Sequence, residues 1–121
     1  MVTLYGLKSC DTCRKARQYL NERDFQHEFR DLRDDGFSEQ ELDAWLAVAG
    51  WERLLNKSST TWRNLDDSDK QDLDADKARA LLLANPTLIK RPVINTGRPP
   101  DQPTITVGFD KETRATLQSL L

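Results

Sequence analysis

The sequence predicts a single α/β domain, residues 1–121, built on a mixed four-stranded sheet with helices on its faces. Two observations carry that reading. Strand-like and helical spacings alternate as β-α-β at the start of the chain and as β-β-α at its end, and between them, at about 36–86, the pattern is helical and polar. With 121 residues the chain is also long enough for one domain with its own core and too short for two comfortable ones.

Val2 to Tyr5 is a short β-prone run ending at Gly6. Beyond Cys10 the spacing turns helical and places Cys13, Ala16 and Leu20 on one face. Phe25, His27 and Phe29 then alternate with Gln26, Glu28 and Arg30, the period of a half-buried second strand. In the middle block, Ser38 and Glu41 have capping-box spacing. Leu42, Trp45, Leu46 and Ala49 form an apolar stripe, and Gly50 is placed to end that helix in the left-handed conformation. Trp51 to Leu55 reads as a further short turn of helix, and NKSSTTWRNL as a polar stretch of turn and cap formers. Six of the eleven residues from Asp66 to Asp76 are Asp; lacking the glycine and terminal glutamate of a calcium loop, they read as a solvated face with helix caps. Asp76 to Ala84 is a helix stopped by Asn85-Pro86. Val93-Ile94 and Thr104 to Phe109 are strands joined by a turn over Thr96 to Pro103. Asp110 caps a last helix whose Leu117, Leu120 and Leu121 pack back on the sheet.

Charged residues make up 31% of the chain and hydrophobic ones 37%, the balance of a soluble globular protein rather than a disordered one. No apolar run approaches the ~20 residues of a membrane span, and MVTLYGLKSC lacks the marks of a secretory signal, so the expected compartment is the cytoplasm. A net charge of −2 and a pI near 5.4 argue against broad attraction to nucleic acid. A monomer with neither membrane nor direct nucleic-acid binding is expected.

The chemistry concentrates in KSCDTCRK, residues 8–15, which holds both cysteines of the chain. In a reducing compartment such a CxxC is more often catalytic, redox-sensing or metal-binding than a structural staple. If the helix begins right after Cys10, the backbone N–H groups of Thr12 and Cys13 point toward the Cys10 sulfur, and the positive end of the helix dipole favours its thiolate. Lys8, Arg14 and Lys15 add positive charge, although Asp11 opposes them. Cys10 would then attack a disulfide, and Cys13, one helical turn away, would resolve the mixed disulfide. The position of the motif at a strand-to-helix junction inside β-α-β favours a thioredoxin-like reading. Two alternatives stand beside it. A zinc site needs four ligands where the chain offers two Cys and His27, and small buried thiols are often plain packing, which applies most to Cys13.

The segments VTLYGLKSCDTCRKAR at 2–17, GWERLLNKSSTTWRNL at 50–65, LIKRPVI at 88–94 and VGFD at 107–110 resemble, in order and spacing, the arsenate reductase (ArsC)/Spx superfamily, most closely its YffB-type branch. The resemblance implies a thioredoxin-like fold with a helical insertion. It implies that Cys10 is the nucleophile, that Arg91 binds an oxyanion or carboxylate, and that Pro92 is the proline such folds keep in cis beside the thiol. Where the family commonly has an arginine after LLN, this chain has Asn56-Lys57, and an ammonium is a poorer bidentate clamp than a guanidinium. Arsenate reductases proper carry another arginine after the RP element, where only Arg98 is at hand. Arsenate needs several donors around its oxygens, so these departures count against it as the substrate. Arg63 is a candidate second guanidinium, and Trp62 reads as packing.

Three functions are set against each other. A thiol-disulfide oxidoreductase, with glutathione as co-substrate and no tightly bound cofactor, would use Cys10, Cys13 and Arg91 for chemistry, and Lys8, Thr12, Lys57, Arg63 and Pro92 for binding; glutaredoxin is a candidate partner, and arsenate reduction is the narrower variant. In this reading Arg91 holds a substrate carboxylate and leaves the thiol's acidity nearly unchanged. A regulator of the Spx type would instead bind the RNA polymerase α subunit and use the CxxC as a redox switch. A folded relic would have two ordinary thiols. The glutathione-dependent reductase is the expectation.

Overall fold

The computed structural model describes residues 2–96 and 105–120. In chain order the elements are β1 (Val2–Gly6), α1 (Asp11–Glu22), β2 (His27–Asp31), α2 (Glu39–Ala49), α3 (Trp51–Leu54), α4 (Thr60–Arg63), α5 (Asp67–Lys70), α6 (Ala75–Ala84), a 3-10 turn (Pro86–Leu88), β3 (Val93–Asn95), β4 (Ile105–Val107) and α7 (Lys111–Leu120). The chain divides into two compact units, residues 1–37 with 91–121, and residues 38–90.

The first unit is a four-stranded mixed sheet in the order β2-β1-β3-β4. β1 runs parallel to β2, with Val2 opposite His27 and Gly6 opposite Asp31, and antiparallel to β3, with Tyr5 opposite Val93. A parallel pair needs a crossover, which α1 supplies. β3 and β4 form the expected antiparallel pair, Val93 opposite Val107 and Asn95 opposite Ile105. The predicted turn from residue 97 to Pro103, Arg98 within it, Thr104 at the head of the last strand, and the Leu120 and Leu121 side chains lie outside the described residues.

Val2 and Leu4 from β1, Ala16 and Leu20 from α1, Ile94 from β3 and Leu117 from α7 form one buried cluster, edged by Tyr19, Phe25, Phe29 and Phe109. The helical spacing of Cys13, Ala16 and Leu20 therefore does place one face of α1 in the interior. At ~1.5–3 kcal/mol for each large apolar side chain fully buried, this cluster is a principal source of the unit's stability. Asp110 caps α7 as its position predicts, its carboxylate accepting the Thr113 N–H at 2.8 Å.

In the second unit the capping box at the start of α2 is complete. Ser38 Oγ accepts the Glu41 N–H at 3.0 Å and the Glu41 carboxylate accepts the Ser38 N–H at 2.9 Å. Gly50 follows α2 with φ 83° and ψ 152°. Its positive φ is the reason for glycine, but its ψ is extended rather than left-handed helical, because the chain must open before re-entering helix as α3. Arg79 of α6 is tied to α2 through Asp43 (2.7 Å) and Glu39 (3.1 Å). Leu55 and Ile89 form an antiparallel bridge, with Asn56 N–H donating to the Leu88 carbonyl and Lys90 N–H to the Leu54 carbonyl, each at 2.8 Å. Within the acidic run Asp74 caps α6 through the Lys77 N–H at 2.8 Å. Among the described residues no cluster of three or more His, Cys, Asp or Glu side chains is placed to hold a metal ion.

Candidate functional site

β1 stops at Gly6, and Leu7 to Ser9 carry the chain to Cys10 at the N-cap of α1, where the backbone is extended (φ −86°, ψ 121°). The turn is closed by the Cys10 N–H donating to the Leu7 carbonyl at 3.1 Å, and the helix opens with the Arg14 N–H on the Cys10 carbonyl at 3.0 Å. A residue at this position faces the unpaired N–H groups of the first turn. The neutral thiol makes no side-chain cap hydrogen bond of full geometry, yet the Cys13 backbone N–H is near enough to favour the Cys10 anion.

Cys10 is half-buried and Cys13 fully so, and both are free thiols. Partial burial pushes the Cys10 thiol up; the Cys13 backbone N–H, the Cys13 thiol and the Arg91 guanidinium oppose it and leave Cys10 below its ordinary value. Arg91 thus acts on the acidity of the thiol, contrary to the expectation that it leaves it unchanged. Cys13 goes the other way. Burial, opposed by the Leu7 backbone N–H but reinforced by the neighbouring Cys10 sulfur, pushes its thiol up to about 12.

The peptide bond between Arg91 and Pro92 is cis. The Pro92 carbonyl accepts the Gly108 N–H at 2.9 Å, which ties this segment to the end of β4 and sets Arg91 just ahead of β3. Because β3 is antiparallel to β1, its first residues lie beside the last residues of β1, and Arg91 meets Cys10 at that end of the two central strands.

The other predicted binding residues divide. Thr12 is exposed on the first turn of α1. Lys8 sends its ammonium to Asp34 at 3.2 Å, and the Arg14 guanidinium is engaged by Asp11, so carboxylates compensate two of the cations expected to favour the thiolate. Lys57 and Arg63 belong to the second unit. There the Lys57 ammonium stands 5.7 Å from the centre of the half-buried Trp62 ring, and the Arg63 guanidinium donates to Thr60 Oγ1 at 3.2 Å. His27 lies on β2 with Nδ1 at 3.3 Å from the Phe25 carbonyl.

Gly6 has a role that reading it only as a strand end misses. A Cβ built there would stand 2.4 Å from Cys13 Sγ and 3.1 Å from Cys13 Cβ, so the absent side chain is the space that Cys13 fills. The only sequence signal is a glycine closing the strand just before the CxxC loop.

A four-stranded mixed sheet, a cysteine capping the first helix and a cis-proline entering the third strand define the thioredoxin-like class of α/β proteins. The comparisons with known proteins narrow it. The family model described as ArsC family matches residues 5–117. The solved YFFB (PA3664) protein is 40% identical, with a TM-score of 0.86 over 96% of this chain and 97% of that one. An arsenate reductase (ArsC) related protein from Brucella melitensis is 37% identical, with a TM-score of 0.71 over 95% of this chain and 92% of that one. A protein from Listeria innocua named global transcriptional regulator Spx is 31% identical over 114 residues, 93% of this chain and 82% of the relative. The chain belongs to the ArsC family, in the branch typified by the YffB proteins.

Proposed function

We propose that this protein is a glutathione-dependent thiol-disulfide oxidoreductase with Cys10 as its nucleophile. The observation that carries the reading is the asymmetry of the two thiols: Cys10 is accessible and acidified, whereas Cys13 is buried and held protonated. The Cys10 thiolate attacks the glutathione sulfur of a glutathione-linked disulfide, forming the Cys10–glutathione disulfide and releasing the other half as the substrate's own thiolate. The Arg91 guanidinium, already beside the sulfur, is placed to receive a glutathione carboxylate. For resolution, burial, the largest cause of the raised Cys13 thiol, persists in the mixed disulfide and keeps Cys13 a poor source of thiolate at neutral pH. Cys13 therefore acts as a donor to the Cys10 sulfur, and a second glutathione attacks the mixed disulfide, returning the Cys10 thiolate and oxidised glutathione. Arsenate reduction is a narrower variant in which Cys10 attacks bound arsenate, and the Lys57 found where the family commonly has arginine counts against it.

Incubation with oxidised glutathione and mass spectrometry tests this reading. An adduct on Cys10 is expected in wild type and Cys13→Ser, discharged by reduced glutathione in both, and absent in Cys10→Ser. An adduct on Cys13, or none at all, would sink it; accumulation only in Cys13→Ser would reinstate Cys13 as the resolving thiol.

A second reading is favoured by one observation, the 31% identity with the Listeria protein named a transcriptional regulator. In that role the chain binds the RNA polymerase α subunit, and Cys10 and Cys13 act as a redox switch. Saturable binding of the purified α subunit without glutathione turnover would select this reading over the first.

A further inference from the structure

Asp31 ends β2 with 3% of its surface exposed, a burial that carboxylates seldom reach without partners. Its oxygens serve different segments. Oδ1 accepts the Arg33 N–H at 2.8 Å and the Asp34 N–H at 2.9 Å, closing the turn after β2. Oδ2 accepts the Lys8 N–H at 3.0 Å, in the loop that leaves β1 for Cys10. Surrounding contacts hold this arrangement: the Asp35 carboxylate accepts the Asp31 N–H at 2.7 Å, the Leu32 N–H donates to the Gly6 carbonyl at 2.8 Å, and the Lys8 ammonium pairs with Asp34. Burial pushes the Asp31 carboxyl up, but the Asp34, Lys8 and Arg33 N–H groups outweigh it and keep the carboxylate ionised below its usual range. A turn of this kind needs only a neutral Asn or Ser side chain. The second oxygen, spent on the neighbouring loop, is what calls for an explanation.

We propose that Asp31 is the positioning residue of the Cys10 site: its carboxylate holds the Lys8 backbone N–H and so fixes the loop that sets the sulfur at the start of α1. The inference rests on the reading of Cys10 as the nucleophile. Only Ser9 separates Lys8 from Cys10, and the Cys10 N–H bonds back to the Leu7 carbonyl, so a shift of Lys8 moves the sulfur relative to the Cys13 N–H and Arg91.

The test compares the pH dependence of Cys10 alkylation by iodoacetamide in wild type and Asp31→Asn, with the modified cysteine located by mass spectrometry. The asparagine oxygen retains the two turn bonds, while its NH2 group faces the Lys8 N–H and repels it. Sign separates the possible causes. Loss of a nearby anion alone lowers a thiol pKa, whereas release of the loop from its donors raises it. The expected midpoint rises by about one pH unit, which leaves roughly tenfold less thiolate at a fixed pH below both midpoints. A second protein keeps Asp31 charged: a synthetic segment 1–9 with an ester in place of the Leu7–Lys8 amide, ligated at Cys10, lacks that N–H and offers the Cys10 N–H a weaker acceptor at the Leu7 carbonyl, so a midpoint that fails to rise is the decisive result. Its midpoint is expected to rise as well, and an unchanged or lower midpoint in the ester protein overturns the assignment whatever Asp31→Asn shows. Alkylation needs no glutathione, so failure of the wild type to form the glutathione adduct would defeat the proposed function while this comparison remains readable.

Discussion

Gly6→Ala tests how closely α1 is set against β1. A Cβ at position 6 would lie 2.4 Å from Cys13 Sγ, more than 1 Å inside the ~3.5–4.0 Å of a comfortable contact. Rotating Cys13 away is not a cheap escape, because its sulfur is buried, receives the Leu7 N–H and neighbours Cys10. Overpacking of this kind costs about 1–3 kcal/mol, or roughly 4–12 °C in Tm for a domain of this size. Urea unfolding of Gly6→Ala, Cys13→Ala and the double variant forms a double-mutant cycle. Cys13→Ala removes the 2.4 Å contact and leaves the 3.1 Å approach of the Cβ atoms, so rescue should be large but incomplete, with a coupling of at least about 1 kcal/mol. Additive effects, or a Gly6→Ala protein as stable as wild type, would refute the claim that the missing side chain makes room for the sulfur.

Two further outcomes follow from the site. Arg91→Ala should raise the Cys10 pKa, since the guanidinium is among the groups that lower it, and a pH profile of Cys10 alkylation identical to wild type would remove Arg91 from the thiol's environment. Cys13 makes the folded protein alkali-sensitive. Its folded pKa is raised from 9.0 to about 12, so between those values the unfolded chain releases a proton that the folded chain retains, and stability falls as pH rises. At pH 10 the loss from this group is on the order of 1 kcal/mol, and Cys13→Ala should remove it; urea unfolding at pH 8 and pH 10 checks the difference.

Local signals made much of this protein legible. A β-prone run located β1, period-3.6 spacing α1 and period-two spacing β2, a short-range side-chain code located the start of α2, and the CxxC at a strand-helix junction located the thiols. What stayed hidden depends on contacts between segments far apart in the chain. Asp31 looks like an ordinary turn former after a strand; its reach to Lys8 exists only once β1 and β2 pair. The charge of Lys8 looks available to a thiolate until Asp34 is seen beside it. The different acidities of Cys10 and Cys13 are likewise a property of burial, which spacing alone does not report.

The antiparallel pairing of β1 with β3 also sets the order of events during synthesis. Tyr5 finds Val93 only after the whole of the second unit has been made, and Arg91 reaches Cys10 through that same pairing. Closing so long a loop is entropically costly, so the strand pair cannot hold before the C-terminal strands leave the ribosome. On a nascent or truncated chain Cys10 lacks its guanidinium neighbour, so Arg91's share of the acidity built into the finished fold is withheld until the last third of the polypeptide arrives.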